Sequence, residues 1–338
     1  MLAGLGVVLA ACVALLAAAG LDVSAAASAL GRGAFGSWYA FGSGTLVRAT
    51  PLILTGLAVA VAFRAGVFNI GAEGQFLAGA AAATATALFA DGAPSVLLIP
   101  LALMVGAAAG AAWAGTAALL RIRFQVLEVI STLLLNFLAI FLVSYLVRGP
   151  LQEPTHIYPQ TPSIPAAAEL PRFGGTTRLH VGFAVAVVVC VAAWWTIRST
   201  AGGFRLRTVG ANPRAARVAG EIDVPRVTAI AFLTSGALAG LAGAIEIMGV
   251  TYALYENLSP GYGYTAIAVA LLARLDPRAV IGTGIVFGAL DAGAAAMQRD
   301  AAIPSVMVAA VEAAIILALL ALERIRVLRM TSARPVSA

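Results

Sequence analysis

Lysine is absent from this 338-residue chain. A phosphate-binding loop of the Gly-Lys-Ser/Thr kind therefore has no place in it, and an ATP-driven step would need another chain to hydrolyse the nucleotide. Cysteine is nearly absent too: Cys12 and Cys190 each sit inside an apolar block, which argues against a disulfide or a metal cluster. The two histidines, His156 and His180, lie in or beside one polar loop, so no histidine relay or metal site within the membrane is expected. No Gly-x-Ser-x-Gly or His-Glu-x-x-His motif occurs, and neither catalytic residues nor a cofactor are expected. Charge is scarce as well. Charged residues make up 11% of the chain, against about 25% in soluble domains.

What fills the chain instead is apolar: 61% of residues are hydrophobic and the mean hydropathy is +0.97. These residues fall in blocks of about twenty, the length that spans a bilayer as an α-helix. The expected fold is an all-α polytopic bundle of about ten transmembrane helices, forming one membrane domain over residues 1–338. The spans read Leu2–Gly20, Leu46–Phe63, Gly66–Ala90, Pro94–Leu120, Val126–Val147, Val181–Ile197, Arg226–Val250, Tyr264–Leu275, Ala279–Met297 and Pro304–Leu322. Leu21–Gly44 reads as a polar, Gly/Ser-rich stretch. Tyr264–Leu275 is too short to cross straight through and reads as a half-helix completed by irregular backbone over Tyr252–Gly263. The small residues after Leu2–Gly20 also suit a cleaved leader.

Arginine placement orients the bundle. With a cytoplasmic N-terminus, fifteen of the twenty-one arginines fall inside. Arg32, Arg48, Arg148, Arg172, Arg178 and Arg299 fall outside, as the positive-inside rule asks. Both termini are then cytoplasmic. The loop 148–180 lies outside, where its prolines from Pro150 to Pro171 forbid a regular helix. Small residues four apart, as in Gly106/Gly110, Gly236/Gly240 and Gly284/Gly288, mark faces where helix backbones approach closely. The second to fifth and the last four spans form two groups of opposite starting direction, a plan that resembles an inverted repeat.

Two segments carry the functional signal. In the first, Asn69, Glu73 and Gln75 enter an apolar block with Gly66, Gly71 and Gly74 around them. On a continuous helix Asn69 and Glu73 share a face and Gln75 points nearly the other way. Alternatively Gly71 and Gly74 break the helix, and backbone groups line a cavity. Two roles stand open: a pathway or gate element, or a structural knot with Glu73 capped by backbone amides. The second segment is the stretch 198–225. Asn212 suits an N-cap, Pro213 the first helical position and Gly220 the position after the end, outlining a short extramembrane helix, Pro213–Ala219. It reads as a docking knob bearing Arg214 and Arg217, or as a basic loop resting on anionic headgroups.

Other polar residues have weaker claims. Glu246, Tyr252, Tyr255, Glu256 and Asn257 outline an outer mouth whose aromatic and amide groups suit stacking on or hydrogen-bonding to a nucleoside or sugar, while the tyrosines also read as ordinary interfacial anchors. Asp291 and Glu312 lie at similar depth in their spans, with no arginine or histidine beside them in sequence, and read as helix-packing groups or proton carriers. Trp194 and Trp195 read as interfacial anchors.

The run Asn69-Ile70-Gly71-Ala72-Glu73-Gly74-Gln75, preceded by Phe63-Arg64-Ala65-Gly66, resembles the signature of bacterial ABC-importer permeases of the branched-chain amino acid and simple-sugar superfamily, and more narrowly its nucleoside-type members. Arg207 to Gly220, with Gly210, Asn212, Pro213, Arg214, Ala215, Ala216 and Arg217, is similar to the family's ATPase-coupling segment. It keeps the Ala-Ala-x-x-x-Gly core of the importers' EAA loop, with Arg214 in place of the leading glutamate. Leu272 to Pro277 also fits, and the resemblance runs from about Arg48 to Arg326. It implies a permease subunit in a bacterial inner membrane that takes its ATPase activity from ABC ATPase partners. It further implies a second, different permease chain and a substrate-binding lipoprotein or periplasmic protein. Lipid surrounds it and no nucleic acid is involved. A proton-coupled secondary transporter working through Glu73, Asp291 or Glu312 is the alternative.

Overall fold

The computed structural model describes residues 22–174, 176–304 and 306–310, with Ala17, Gly20, Ala313, Ala314 and Leu317. Leu2–Gly20, most of Pro304–Leu322, Glu312 and both chain ends lie outside the described residues. Among the described residues the regular structure is helical, with two isolated β-bridges and no strand. Six helices among the described residues are long and apolar enough to cross a bilayer. In chain order the α-helices are α1 Val23–Phe35, α2 Val47–Arg64, α3 Ala72–Phe89, α4 Ser95–Phe124, α5 Glu128–Arg148, α6 Gly182–Ser199, α7 Ala201–Ala211, α8 Pro213–Gly220, α9 Val224–Glu246, α10 Tyr262–Leu272 and α11 Pro277–Asp300. π-Helical turns extend α2 backwards over Ala40–Leu46 and α9 forwards over Ile247–Thr251.

The chain divides into two compact units. One comprises the described parts of Met1–Arg48 and Ile285–Ala338. Here the stretch read as polar and Gly/Ser-rich contains α1, which starts where the Asp22 carboxylate accepts the Ser24 and Ala25 amides at 2.8 and 3.0 Å. The glycines and serines of this stretch lower its hydropathy without preventing a capped helix. Ala26, Ala29, Ala294 and Met297 pack together in its core. Asp291, which has no basic residue beside it in sequence, is ion-paired with Arg48 at 3.0 Å. The pairing satisfies a carboxylate that would be costly in lipid, and the 243-residue separation hides it from sequence.

The other unit is Ala49–Gly284. At its centre α3, α4 and α9 cross with almost no side chain between them. A Cβ at Gly79 would stand 2.2 Å from the Gly240 carbonyl oxygen, and one at Gly110 would stand 2.2 Å from that of Gly236. The glycine pairs of α4 and α9 thus face each other, as their spacing predicts. Around this centre α4, α5 and α6 turn large apolar side chains outward, Met104, Phe141 and Val188 among them. Lipid would cover such a face without cost.

The loop 148–180 is irregular but tied down. Its backbone amides at Thr161, Ile164 and Leu170 donate to the carbonyls of Leu254, Tyr252 and Met248, each at 2.8 Å. His180 closes the loop fully buried, with its ring against Gly182 and Gly249.

Candidate functional site

The segment between α2 and α3 decides the site. Gly66 takes a positive φ of 74°, and residues 67–70 run without regular structure before α3 begins at Ala72 with Gly71 as its N-cap. The helix read as starting at Gly66 is therefore broken for its first turn and a half. Asn69 lies outside the helix and does not share a face with Glu73. Gln75, expected to point away, instead meets Asn69: each side-chain amide donates to the other's oxygen, at 3.1 and 3.0 Å. The Asn69 amide also donates to Ser235 of α9 at 2.9 Å, while its oxygen accepts the Gly71 amide at 2.9 Å.

Asn136 of α5 locks the same segment from the opposite side. Its oxygen accepts the Gly74 amide at 2.8 Å and its nitrogen donates to the Ile70 carbonyl at 2.9 Å. Sequence reading missed Asn136, although a lone asparagine in an apolar span was a usable signal. Thr132 accepts the Ile70 amide at 3.3 Å. All these side chains are buried. The amides freed by breaking the helix are thus satisfied inside protein, the condition for irregular backbone at membrane depth.

Glu73 reaches a second broken element. Its carboxylate accepts the Gly263 amide at 2.7 Å, in the first turn of α10. A Cβ on Gly263 would stand 2.2 Å from the Glu73 nitrogen, so the first turns of α3 and α10 touch backbone to backbone. Phe76 and Tyr262 meet edge to face at 5.8 Å beside this contact. The short eleven-residue α10 follows irregular backbone over residues 252–261, as its length predicts. A carboxylate at two converging N-termini is well placed, because both present donor amides and positive dipole ends.

The basic segment forms two short helices. Thr200 caps α7, which was not anticipated, by accepting the Gly203 amide at 3.1 Å, and Arg207 on α7 donates to the Ile197 carbonyl. Asn212 caps α8 by accepting the Arg214 and Ala215 amides at 3.0 and 3.1 Å, with Pro213 at the first position, as expected. The end differs by one residue: Gly220 is still helical and Glu221 takes the left-handed turn at φ 48°. Ala216 anchors α8 against Val209 and Ile222, while Arg214, Ala215 and Arg217 are exposed. At the end of α7, a Cβ on Gly210 would stand 2.0 Å from the Arg64 carbonyl oxygen. The end of α7 therefore abuts the turn that opens the polar knot.

The residues of the expected outer mouth do not form one cluster of open side chains. Glu246 is buried. Arg172 donates to the Tyr252 hydroxyl at 3.0 Å. Glu256 is bound by Arg148 through two hydrogen bonds of 2.6 and 2.7 Å and accepts from Ser144. These partners hold its carboxyl down to about 2, with Arg148 the larger cause. Tyr255 bridges to Gln160 of the loop, and Asn257 takes a left-handed φ of 58°. Trp194 is overlaid by the Arg278 guanidinium 4.5 Å from the ring centroid. Among the described residues no cluster of histidine, cysteine and carboxylates could hold a metal ion.

No solved structure matches the chain. Among known proteins it is similar to the glucose ABC transporter permease protein TsgB13 of Haloferax volcanii, at 41% identity over 82% of this chain and 75% of that one. It is also similar to two proteins of Bacillus subtilis. The guanosine ABC transporter permease protein NupP is 39% identical over 88% of this chain and 86% of its own length. The guanosine ABC transporter permease protein NupQ is 29% identical over 72% of this chain and 78% of its own. The sequence model of one family matches residues 42–322, spanning the polar knot, the capped helix and the loop between them. With several helices long and apolar enough to cross a bilayer, this multi-pass membrane protein belongs to the family described as the permease component of the branched-chain amino acid transport system.

Proposed function

We propose that the chain is a pathway-forming subunit of an ATP-driven importer for a nucleoside or a similar polar metabolite, with a sugar as the neighbouring option. One observation carries the reading: the exposed, doubly capped helix α8 follows directly on α7, whose Gly210 packs against the Arg64 carbonyl, and the turn after Arg64 leads into the Asn69–Glu73–Gln75 knot. A push on α8 by an ABC ATPase would reach the contact between α3 and α10 through backbone alone. Packed backbone transmits displacement because it cannot yield by changing rotamer.

The two broken elements are the second members of their four-span groups, corresponding positions in the expected inverted repeat. Such paired interruptions mark the substrate path in transporters. Asn69, Glu73 and Gln75 act in this reading as the gate's hinge, holding it closed until the coupling helix moves. ATP hydrolysis belongs to the partner chain, which fits the absence of lysine. The two Bacillus subtilis relatives are both guanosine permease proteins and differ in likeness to this chain, which supports a second, non-identical permease beside it. A substrate-binding protein would engage the loop 148–180 from outside, with both termini cytoplasmic in a bacterial inner membrane.

Paired replacement Arg214→Glu and Arg217→Glu tests the assignment. Uptake should stop while the chain remains membrane-inserted, and the ATPase should no longer co-purify. Unchanged ATPase association removes α8 from the coupling role. Uptake that survives ATP depletion but stops when the proton gradient collapses would establish a proton-driven carrier instead.

A further inference from the structure

A groove opens between α6 and α9, apart from the knot. Its volume is about 620 Å³, within the range of roughly 300–1,000 Å³ common to small-molecule sites. Its two ends differ in chemistry. Val189 and Ala193 of α6 and Leu238 of α9 line the inner end, whereas Arg205, Arg226, Glu221 and Asp223 stand at the mouth. All four charged residues are exposed. Val189 precedes the end of α6 at Ser199 by ten residues, a depth of about 15 Å at 1.5 Å per residue. That depth is half of a ~30 Å hydrocarbon core, the reach of one acyl chain from one leaflet.

The mouth chooses the headgroup. Neither Arg205 nor Arg226 forms an ion pair among the described residues. Asp223 is engaged as the cap of α9, accepting the Arg226 amide at 3.0 Å. Glu221 sits on the left-handed turn after α8 with its side chain exposed. Two guanidiniums suit a phosphodiester, which accepts charge-assisted hydrogen bonds. The carboxylate beside them suits an ammonium. A purely anionic headgroup would leave Glu221 facing like charge, and a quaternary one would offer it no N–H donor.

We propose that this groove holds one phospholipid with a primary-ammonium headgroup. Its phosphate lies between Arg205 and Arg226, its ammonium meets Glu221, and one acyl chain runs along Val189, Ala193 and Leu238. Because α7, α8 and the start of α9 frame the mouth, the lipid would brace the segment that carries Gly210.

The test uses the full chain in complex with its partner subunits. The complex is stripped of lipid in detergent and offered phosphatidylethanolamine, phosphatidylglycerol and phosphatidylcholine of matched chains, and retained lipid is counted by native mass spectrometry. One phosphatidylethanolamine per chain should remain after the other two lipids are lost. Arg205→Gln with Arg226→Gln should remove this preference, and Ala193→Trp, which fills the groove, should remove retention altogether. Equal retention of the three lipids overturns the proposal, as does a preference unchanged in the double variant. Should Ala193→Trp fail to assemble, the exposed double variant still decides.

Discussion

Gly210 and Arg64 meet backbone to backbone: no atom larger than hydrogen fits between the Gly210 α carbon and the Arg64 carbonyl. Two segments separated by 146 residues are thereby pressed into one mechanical element. Gly210→Ala should part them, with overpacking that costs about 1–3 kcal/mol. Thermal unfolding should register the loss, and ATP-dependent uptake should fall further than stability does. Wild-type uptake by a stably inserted Gly210→Ala chain would show that the contact carries no signal.

The reciprocal amide pair is open to a double-mutant cycle. Asn69→Ala and Gln75→Ala each strand a buried amide, and each should lower stability by about 1–3 kcal/mol. Together they should cost less than the sum, with an interaction of order 0.5–3 kcal/mol. Strict additivity in denaturant or thermal unfolding would mean that the two side chains act apart.

His180 makes the stability of the loop 148–180 depend on pH. Its ring nitrogens have no hydrogen-bond partner among the described residues. Burial pulls the imidazole down to about 4, with the Arg172 charge acting in the same direction. The folded state therefore binds fewer protons than the unfolded state between about pH 4 and the ordinary value near 6.5. Stability should be complete above about pH 6.5 and fall as pH drops towards 4, by at most about 3 kcal/mol. The same titration on His180→Gln should be flatter across that window, and an identical slope would exclude His180 as the source.

Topology is checked by labelling single cysteines at Ser163 and Thr208 after Cys12 and Cys190 are replaced. Ser163 is exposed in the proline-rich loop. An impermeant thiol reagent applied to whole cells should modify Ser163→Cys and spare Thr208→Cys. The reverse pattern would invert the proposed orientation.

Features written in local sequence were read well. The spans α4, α5 and α6 announce themselves by unbroken hydropathy, and α8 by Asn212 and Pro213, because a cap acts within one turn. The facing glycines of α4 and α9 were legible for a similar reason, since their spacing is fixed by the helix itself. What failed depended on distant partners or on a broken period. A continuous helix would set Asn69 apart from Gln75; the break at Gly71, the alternative its glycine offered, lets the chain fold back and join them, a pairing no local period shows. Arg48 and Asp291, or Arg148 and Glu256, gave no sign of pairing because nothing local links them. The helix α1 was masked by its own glycines and serines, which signal loops until a capping aspartate is weighed with them.

The glycine crossing of α3, α4 and α9 fixes where this protein can bend. Helices separated by side chains can adjust as rotamers change, whereas helices in backbone contact have no rotamers there to adjust. With Gly79, Gly110 and Gly240 leaving no slack, the three helices form a single strut. Within this unit, displacement during a transport cycle is expected to concentrate at non-helical joints such as residues 65–71 and 252–261. A mutation that lends the strut play would be expected to blunt the stroke, even though it touches neither end of the path.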